Sequence, residues 1–268
     1  MTPRDALIRE GARAGHATGM ARQPRFDLHG IPQHIVQRGN NRLPCFLDDL
    51  DRRTYLYLLA EALHHTGCRL HGWVLMDNHV HLLLTPPLAG AAGALMQRLG
   101  RNYVPLFNAR HGRSGTLWEG RYKASLVADD HYLLQCLRYI ELNPVRAAII
   151  DDPARYPWSS CQTHLGLRPA NRLAHHPVWL ASGSTPAERA QWWQQFLREA
   201  ISDDELAAIR TTLQQQRALG TTAFQAMVQA KTHRFAGTRP AHRPPRQKGQ
   251  ATSVNLISLA PGPGKQPR

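Results

Sequence analysis

Residues 73–86 read WVLMDNHVHLLLTP, an apolar run in which one valine separates two histidines, His79 and His81. Side chains of an extended chain alternate between faces, so both imidazoles project to one side and Val80 to the other. Asp77 and Asn78 are turn formers between two apolar runs, which predicts a hairpin with strands Leu70–Met76 and His79–Thr85. Neutral imidazoles paired on one strand face, where a hairpin opens onto a surface, are able to converge on one cation. The pattern also describes an ordinary half-exposed polar pair, and the residues alone leave both readings open.

Outward from this hairpin the pattern predicts an α+β fold. Gln33–Arg38 reads as a short strand that ends in a Gly-Asn-Asn turn. DDLDRRTYLYLLAEALHHTG follows, with Asp51 as cap, Tyr55, Leu58, Leu59, Ala62 and Leu63 at helical spacing, and Gly67 as stop. After the hairpin, AGALMQRLGRNYVPLFNARHG aligns Leu95, Leu99 and Tyr103 on one helical face in spite of Gly100 and Pro105. Lys123–Val127 is the next strand, and Asp130 opens a third helix, HYLLQCLRYIELN, which Pro144 closes. Strand, helix, strand, strand, helix, strand, helix describes an antiparallel sheet backed by helices in two layers. Residues 1–25 are expected to form a flexible basic leader, 26–165 the main domain and 176–233 a helical appendage. Residues 234–268 are expected as a disordered tail, because from Lys231 onward there are eight Lys or Arg, six prolines and no Asp or Glu.

The formal net charge of +14 favours a polyanionic partner, with nucleic acid foremost. No stretch approaches the ~20 apolar residues that span a bilayer, so no membrane partner is expected. MTPRDALIREGARAGHATGMARQPR is broken by Arg4, Asp5, Arg9 and Glu10 and lacks the apolar core of a secretion signal, which points to the cytoplasm. Cys45, Cys68, Cys136 and Cys161 lie far apart with no CxxC pair, as packing residues rather than zinc ligands or disulfides. The adjacent pairs His64–His65 and His175–His176 face different ways on any regular element and are expected on the surface. Segment 98–123 carries six Lys or Arg against one Glu, with Tyr103, Phe107, Trp118 and Tyr122 interleaved. Basic groups there suit phosphates and aromatic faces suit unpaired bases, although the same aromatics suit a core, Tyr103 and Phe107 most of all. Arg38, Arg113, Trp118, Arg121, Tyr122 and Lys123 are the candidate DNA contacts.

In LRYIELNPVRA, Tyr139 and Asn143 are four residues apart, one turn above the other on a helix face. Asn143 precedes Pro144, so it is expected half outside helical geometry with its oxygen free to meet an ion. A phenol beside a metal suits nucleophilic chemistry. A core aromatic followed by a helix-end asparagine accounts for the same residues. Tyr103 has Phe107 one turn later, and Tyr122, Tyr132 and Tyr156 also lack the amide, while no spacing selects Glu119 or Glu141 for proton transfer.

Four blocks in this order, HIVQRGNNR, WVLMDNHVHLLL, GRSGTLWEGRYK and YLLQCLRYIELNPVRA, resemble the REP-associated tyrosine transposases. These are relatives of the single-tyrosine transposases of small insertion sequences within the HUH endonuclease superfamily. The resemblance covers residues 25 to 160 or so and implies a ferredoxin-like or RRM-like nuclease domain. It implies His79, His81 and Asn143 as ligands of a divalent ion, Mg2+ or Mn2+, and Tyr139 as the nucleophile. The implied activity is cleavage and rejoining of single-stranded DNA at repeat hairpins through a 5′-phosphotyrosine link. Single-stranded or hairpin DNA is the implied partner, and a monomer is expected ahead of a homodimer. Two rival readings are a domesticated descendant that binds palindromic repeats without cutting, and a metal-dependent hydrolase in which water attacks. The resemblance does not extend past residue 165, and the role of the appendage stays open.

Overall fold

The computed structural model describes residues 24–128 and 131–240. In chain order the elements are β1 (Gln33–Arg38), α1 (Asp49–Thr66), β2 (Arg69–Met76), β3 (His79–Thr85), α2 (Ala91–Arg110), β4 (Lys123–Val127), α3 (His131–Glu141), α4 (Asn143–Arg146) and α5 (Cys161–His164). Then come α6 (Pro177–Leu180), α7 (Pro186–Arg198), α8 (Asp203–Gln215), β5 (Ala218–Leu219) and α9 (Thr222–Thr232). The chain divides after Thr238, and every one of these elements lies before the division.

The strands run β2-β3-β1-β4-β5 across one sheet. The first four are antiparallel, as the hairpin reading predicts, while β5 joins parallel to β4 through Leu126↔Ala218 and Val127↔Leu219. Two residues are too few for alternation to announce a strand. Val36 faces His81 on β3 and Lys123 on β4, and Arg38 faces His79. Paired residues of an antiparallel ladder project to the same side, so these five side chains share one face at one end of the sheet.

The opposite face, with Ile35, Val80, Leu82, Leu84 and Ala124, packs on Leu59 of α1 and on Leu95 and Tyr103 of α2. The site-bearing face carries Val74, Leu83 and Val127 against Leu133, Leu137 and Ile140 of α3, Trp193 of α7 and Ile209 of α8. Helices therefore cover both faces, making three layers where two are expected. The reason is visible in LLL at 82–84: beyond His81 the strand is apolar on both sides, and both sides need cover.

Local chemistry shifts two of the expected boundaries. Asp48, not Asp51, is the N-cap of α1, accepting from the Asp51 backbone N–H at 3.0 Å, while the buried Asp51 carboxylate accepts from the Leu47 N–H at 2.8 Å and pairs with Arg110, the last residue of α2, and with His111 just beyond it. Pro144 does not close the third helix at Asn143. α3 ends at Glu141, and Pro144 sits in the first turn of α4, where its missing N–H has no partner to lose.

α7 and α8 cover the α3 side of the sheet, whereas α9 packs through Val228 on Leu126 of the opposite face. Both α7 and α8 begin with reciprocal capping boxes, Thr185 with Glu188 and Ser202 with Glu205. Glu205 also pairs with Arg138 of α3 at 3.2 Å. Residues 234–238, expected in the tail, are part of the fold: the Ala218 N–H donates to the Ala236 carbonyl at 2.9 Å, and Ala236 is fully buried. The expected leader up to residue 23 and the tail from 241 lie outside the described residues. His175 and His176 turn inward rather than outward. His175 stacks on Trp179 and His176 caps α6 and meets His71, because the cap position draws the pair under the short helix. All four cysteines are buried and free, as packing residues.

Candidate active site

A cavity of about 790 Å³ opens at the end of the sheet where β1, β3 and β4 bring Arg38, His79, His81 and Lys123 together. Tyr139, Asn143 and Arg146 form a second side of it, and Glu119, Gly120 and Arg121 belong to the lining as well. The hairpin, the third helix and the turn that follows it, separate in sequence, thus meet at one place.

Tyr139 and Glu141 are two residues apart on α3 and face opposite ways. Tyr139 turns toward the cavity, its ring centroid 5.9 Å from those of both His81 and His34. Glu141 turns away and is fully buried, where Ser160 donates to its carboxylate at 2.5 Å, Trp193 at 2.8 Å, and His164 lies 2.6 Å from it. That network anchors the end of α3 from behind. Glu141 is therefore an anchor, and Glu119 is the carboxylate that lines the cavity. Arg146 lies 4.0 Å above the Tyr139 ring and donates to the Tyr139 carbonyl at 2.7 Å. Asn143 donates through Nδ2 to the Tyr139 and Ile140 carbonyls at 3.1 and 3.3 Å, closing the end of α3, while its Oδ1 accepts from Arg146 at 2.9 Å. The oxygen expected to be free is engaged. A carboxamide oxygen has two lone pairs, so one remains for an ion.

The hairpin histidines differ in depth. His79 is half-buried, whereas His81, expected at a surface, is only 3% exposed. Burial is the main force holding His79 down to about 4 and His81 well below the ordinary imidazole range, and nearby cations reinforce it at both. Both are neutral at pH 7, the form that binds a cation. Asn78 fixes the tautomer of His79. Its Nδ2 donates to the Arg42 carbonyl at 3.0 Å, so its Oδ1 must accept from His79 Nδ1–H at 2.6 Å, leaving the Nε2 lone pair of His79 unprotonated. His81 Nδ1 lies 2.8 Å from Nε2 of His34, a fully buried imidazole that burial pushes down to about 3. With the proton on His81 Nδ1, its Nε2 is the second free donor. The two rings stand 5.1 Å apart at 72°, so the donor set suits a cation shared by His79 and His81 with an amide oxygen as third partner. Among the described residues no cluster of three His, Cys, Asp or Glu exists that would compete for it.

The remaining candidates divide. Arg38, Arg121 and Lys123 line the cavity and are exposed. Arg113 does not line it and lies over the Phe107 ring at 5.4 Å. Trp118 is 7% exposed within the core shared with α1 and α2, and Tyr122 packs against that core beneath the Arg25 guanidinium, 3.6 Å from its centroid. Sequence reasoning missed Asn78, His34, Arg42, Arg146 and Arg210 of the site. Asn78 and Arg42 stand inside the quoted blocks as turn residues, and His34 reads as an ordinary strand position.

Among the described residues no helix is long and apolar enough to cross a membrane. Residues 27–143 match the protein family described as Transposase IS200 like. No curated protein matches the chain. Among solved structures, a REP-associated tyrosine transposase bound to a REP hairpin is similar at 16% identity over 58% of this chain and 92% of that one, with a TM-score of 0.45. A structure assigned to a transposase of Deinococcus radiodurans R1 is similar at 20% identity over 48% of this chain and 92% of that one, with a TM-score of 0.32.

Proposed function

We propose, from the premise that residues 27–143 belong to the IS200-like transposases, that this chain cuts and rejoins single-stranded DNA at repeat hairpins through a covalent bond to Tyr139. The observation that carries the reading is the meeting of Tyr139, His79, His81 and Asn143 in one cavity whose other charged walls are almost entirely cationic.

In the proposed step the Tyr139 hydroxyl oxygen attacks the scissile phosphorus. The bond from phosphorus to the 3′ oxygen breaks, the phenol proton is lost, and the departing oxygen takes up a proton to become a free 3′-hydroxyl. Rejoining is the reverse attack by a 3′-hydroxyl, which restores the phenol, so no nucleotide hydrolysis is needed. A phenol is a weak nucleophile near neutrality, with an ordinary pKa of about 10. Arg146 offsets this by holding a positive charge against the ring where negative charge develops. Arg38, Arg121 and Lys123 hold phosphates on the sheet side. A divalent ion, Mg2+ or Mn2+, held by His79, His81 and Asn143, would polarise the scissile phosphate. One subunit contains every one of these residues, which supports a monomer.

A second reading, binding of palindromic repeats without cutting, is favoured by one observation: Arg146 already occupies the Asn143 oxygen. The decisive experiment incubates the chain with labelled single-stranded palindromic repeats from its own genome, with and without Mn2+. The strand-cutting reading expects a protein–DNA adduct that survives denaturant, its loss in Tyr139→Phe with DNA binding retained, and weak rescue of His79→Ala by excess metal. An adduct undiminished in Tyr139→Phe rejects the nucleophile, and DNA binding with no adduct under any divalent ion selects the second reading.

A further inference from the structure

α8 lies beyond residues 27–143, yet it supplies part of the cavity wall through Arg210, Leu213 and Gln214. Their spacing of three and four residues places them on one helix face. Arg38, Arg42, Arg121 and Lys123 stand on the walls built by the earlier part of the chain. We propose that α8 is a further wall of the DNA site, with Arg210 as a phosphate contact that holds the single strand against the sheet end. The inference rests on reading the cavity as a DNA site, and it extends that site to a segment outside the family match.

Three observations carry it. First, the cations of this cavity lack acidic partners. Among the described residues Arg52, Arg110, Arg138 and Arg155 all pair with carboxylates, whereas no ion pair engages Arg38, Arg42, Arg121, Lys123 or Arg210. Glu119 alone among the lining residues is acidic. Second, like charges are gathered in one cavity: Arg146 lines it together with Arg38, Arg42, Arg121, Lys123 and Arg210. Repulsion of this kind is relieved when a polyanion enters. Third, Arg210 stands on a fixed helix. Ile209, Thr212 and Leu213 are buried, the capping box sets its start, and the Glu205–Arg138 pair ties it to α3. The side chain is exposed while the helix that carries it is anchored, the arrangement of a positioned contact.

The test measures binding of a labelled oligothymidylate to the full chain across a salt series, for the unmodified protein, Arg210→Ala, Arg210→Glu, Arg210→Lys and Lys231→Glu. Lys231 is an exposed cation of α9 that does not line the cavity, so its reversal controls for net charge. Expected are a loss of about tenfold for Arg210→Glu, a salt slope smaller by about 0.7 for Arg210→Ala, near-normal binding for Arg210→Lys, and a loss of no more than about twofold for Lys231→Glu. Retention by Arg210→Lys shows that the other losses do not arise from misfolding. Unchanged affinity and slope in Arg210→Ala overturn the proposal, as does an equal loss in Lys231→Glu. Arg210-dependent binding with no covalent adduct leaves the role of α8 standing and defeats the strand-cutting reading instead. An unmodified chain that binds no single strand defeats both.

Discussion

At the scale of single residues, the site depends on which nitrogen of each histidine is free. Asn78 stands between the Arg42 carbonyl and His79, and its two hydrogen bonds leave it one orientation. Partners of this kind, set behind metal ligands, typically carry 10- to 100-fold of metal affinity. Asn78→Ala is therefore expected to weaken Mn2+ binding by about tenfold or more in a calorimetric titration, with the thermal midpoint little changed. Asn78→Asp keeps the acceptor for His79 and should keep most of the affinity. Equal affinity in Asn78→Ala would show that His79 needs no such support. Much of this level is readable in the chain: His79, His81, Tyr139 and Asn143 are expected as one site, and all four line the cavity. Asn78 is not readable as a support, because Asp-Asn between two strands already has a sufficient explanation as a turn. Trp118 and Tyr122 show the converse, since aromatics interleaved with arginines serve a core as well as a base.

At the scale of elements, the geometry of the proposed site depends on how closely α3 seats on β2. Gly72 lies at that contact, and a Cβ built there would come within 2.1 Å of the Leu137 Cδ1. Leu137 is 1% exposed and has little room to retreat. Gly72→Ala should force α3 outward, at a cost of about 1–3 kcal/mol in urea denaturation. Because Tyr139 is carried on the same helix, adduct formation should fall further than oligonucleotide affinity. A variant as stable and active as the parent would mean that α3 repacks freely. Strand and helix order is legible from alternation and helical spacing, with β1, β3 and β4 beginning and ending as expected. The end of α3 is not, because the same Asn-Pro pair is compatible with stopping one helix and with starting the next.

Over the whole molecule, buried imidazoles set the response to acid. Burial holds His71 at about 4, with the His176 and Arg69 charges adding to the shift and the Ala174 carbonyl opposing it. Burial, followed by His164, holds His175 at about 4 as well. In the unfolded chain a histidine titrates near 6.5. As pH falls through that value the unfolded state takes up protons that the folded state refuses until about 4, so stability is intact above 6.5 and declines between 6.5 and 4. Each such histidine steepens the decline by up to about 1.4 kcal/mol per pH unit. Urea midpoints across this range should fall, and His71→Gln should flatten the curve. A level profile would show that these rings are protonated as readily in the fold as outside it. The involvement of α8 in the cavity is the least legible feature of the chain. The capping region ISDD and the spacing declare helical structure over 203–231, which β5 interrupts at Ala218–Leu219, and which surface its first part covers follows only from the sheet face it packs against.

The position of Arg210 has a consequence for biogenesis. On the ribosome β1–β4 and α3 emerge before α8. On the strand-cutting reading, a nascent chain can thus carry Tyr139 before one wall of the cavity has been made, and it would gain its full grip on DNA only once translation has passed α8. On that reading, such an order would keep a strand-cutting protein loosely engaged until it has been made in full.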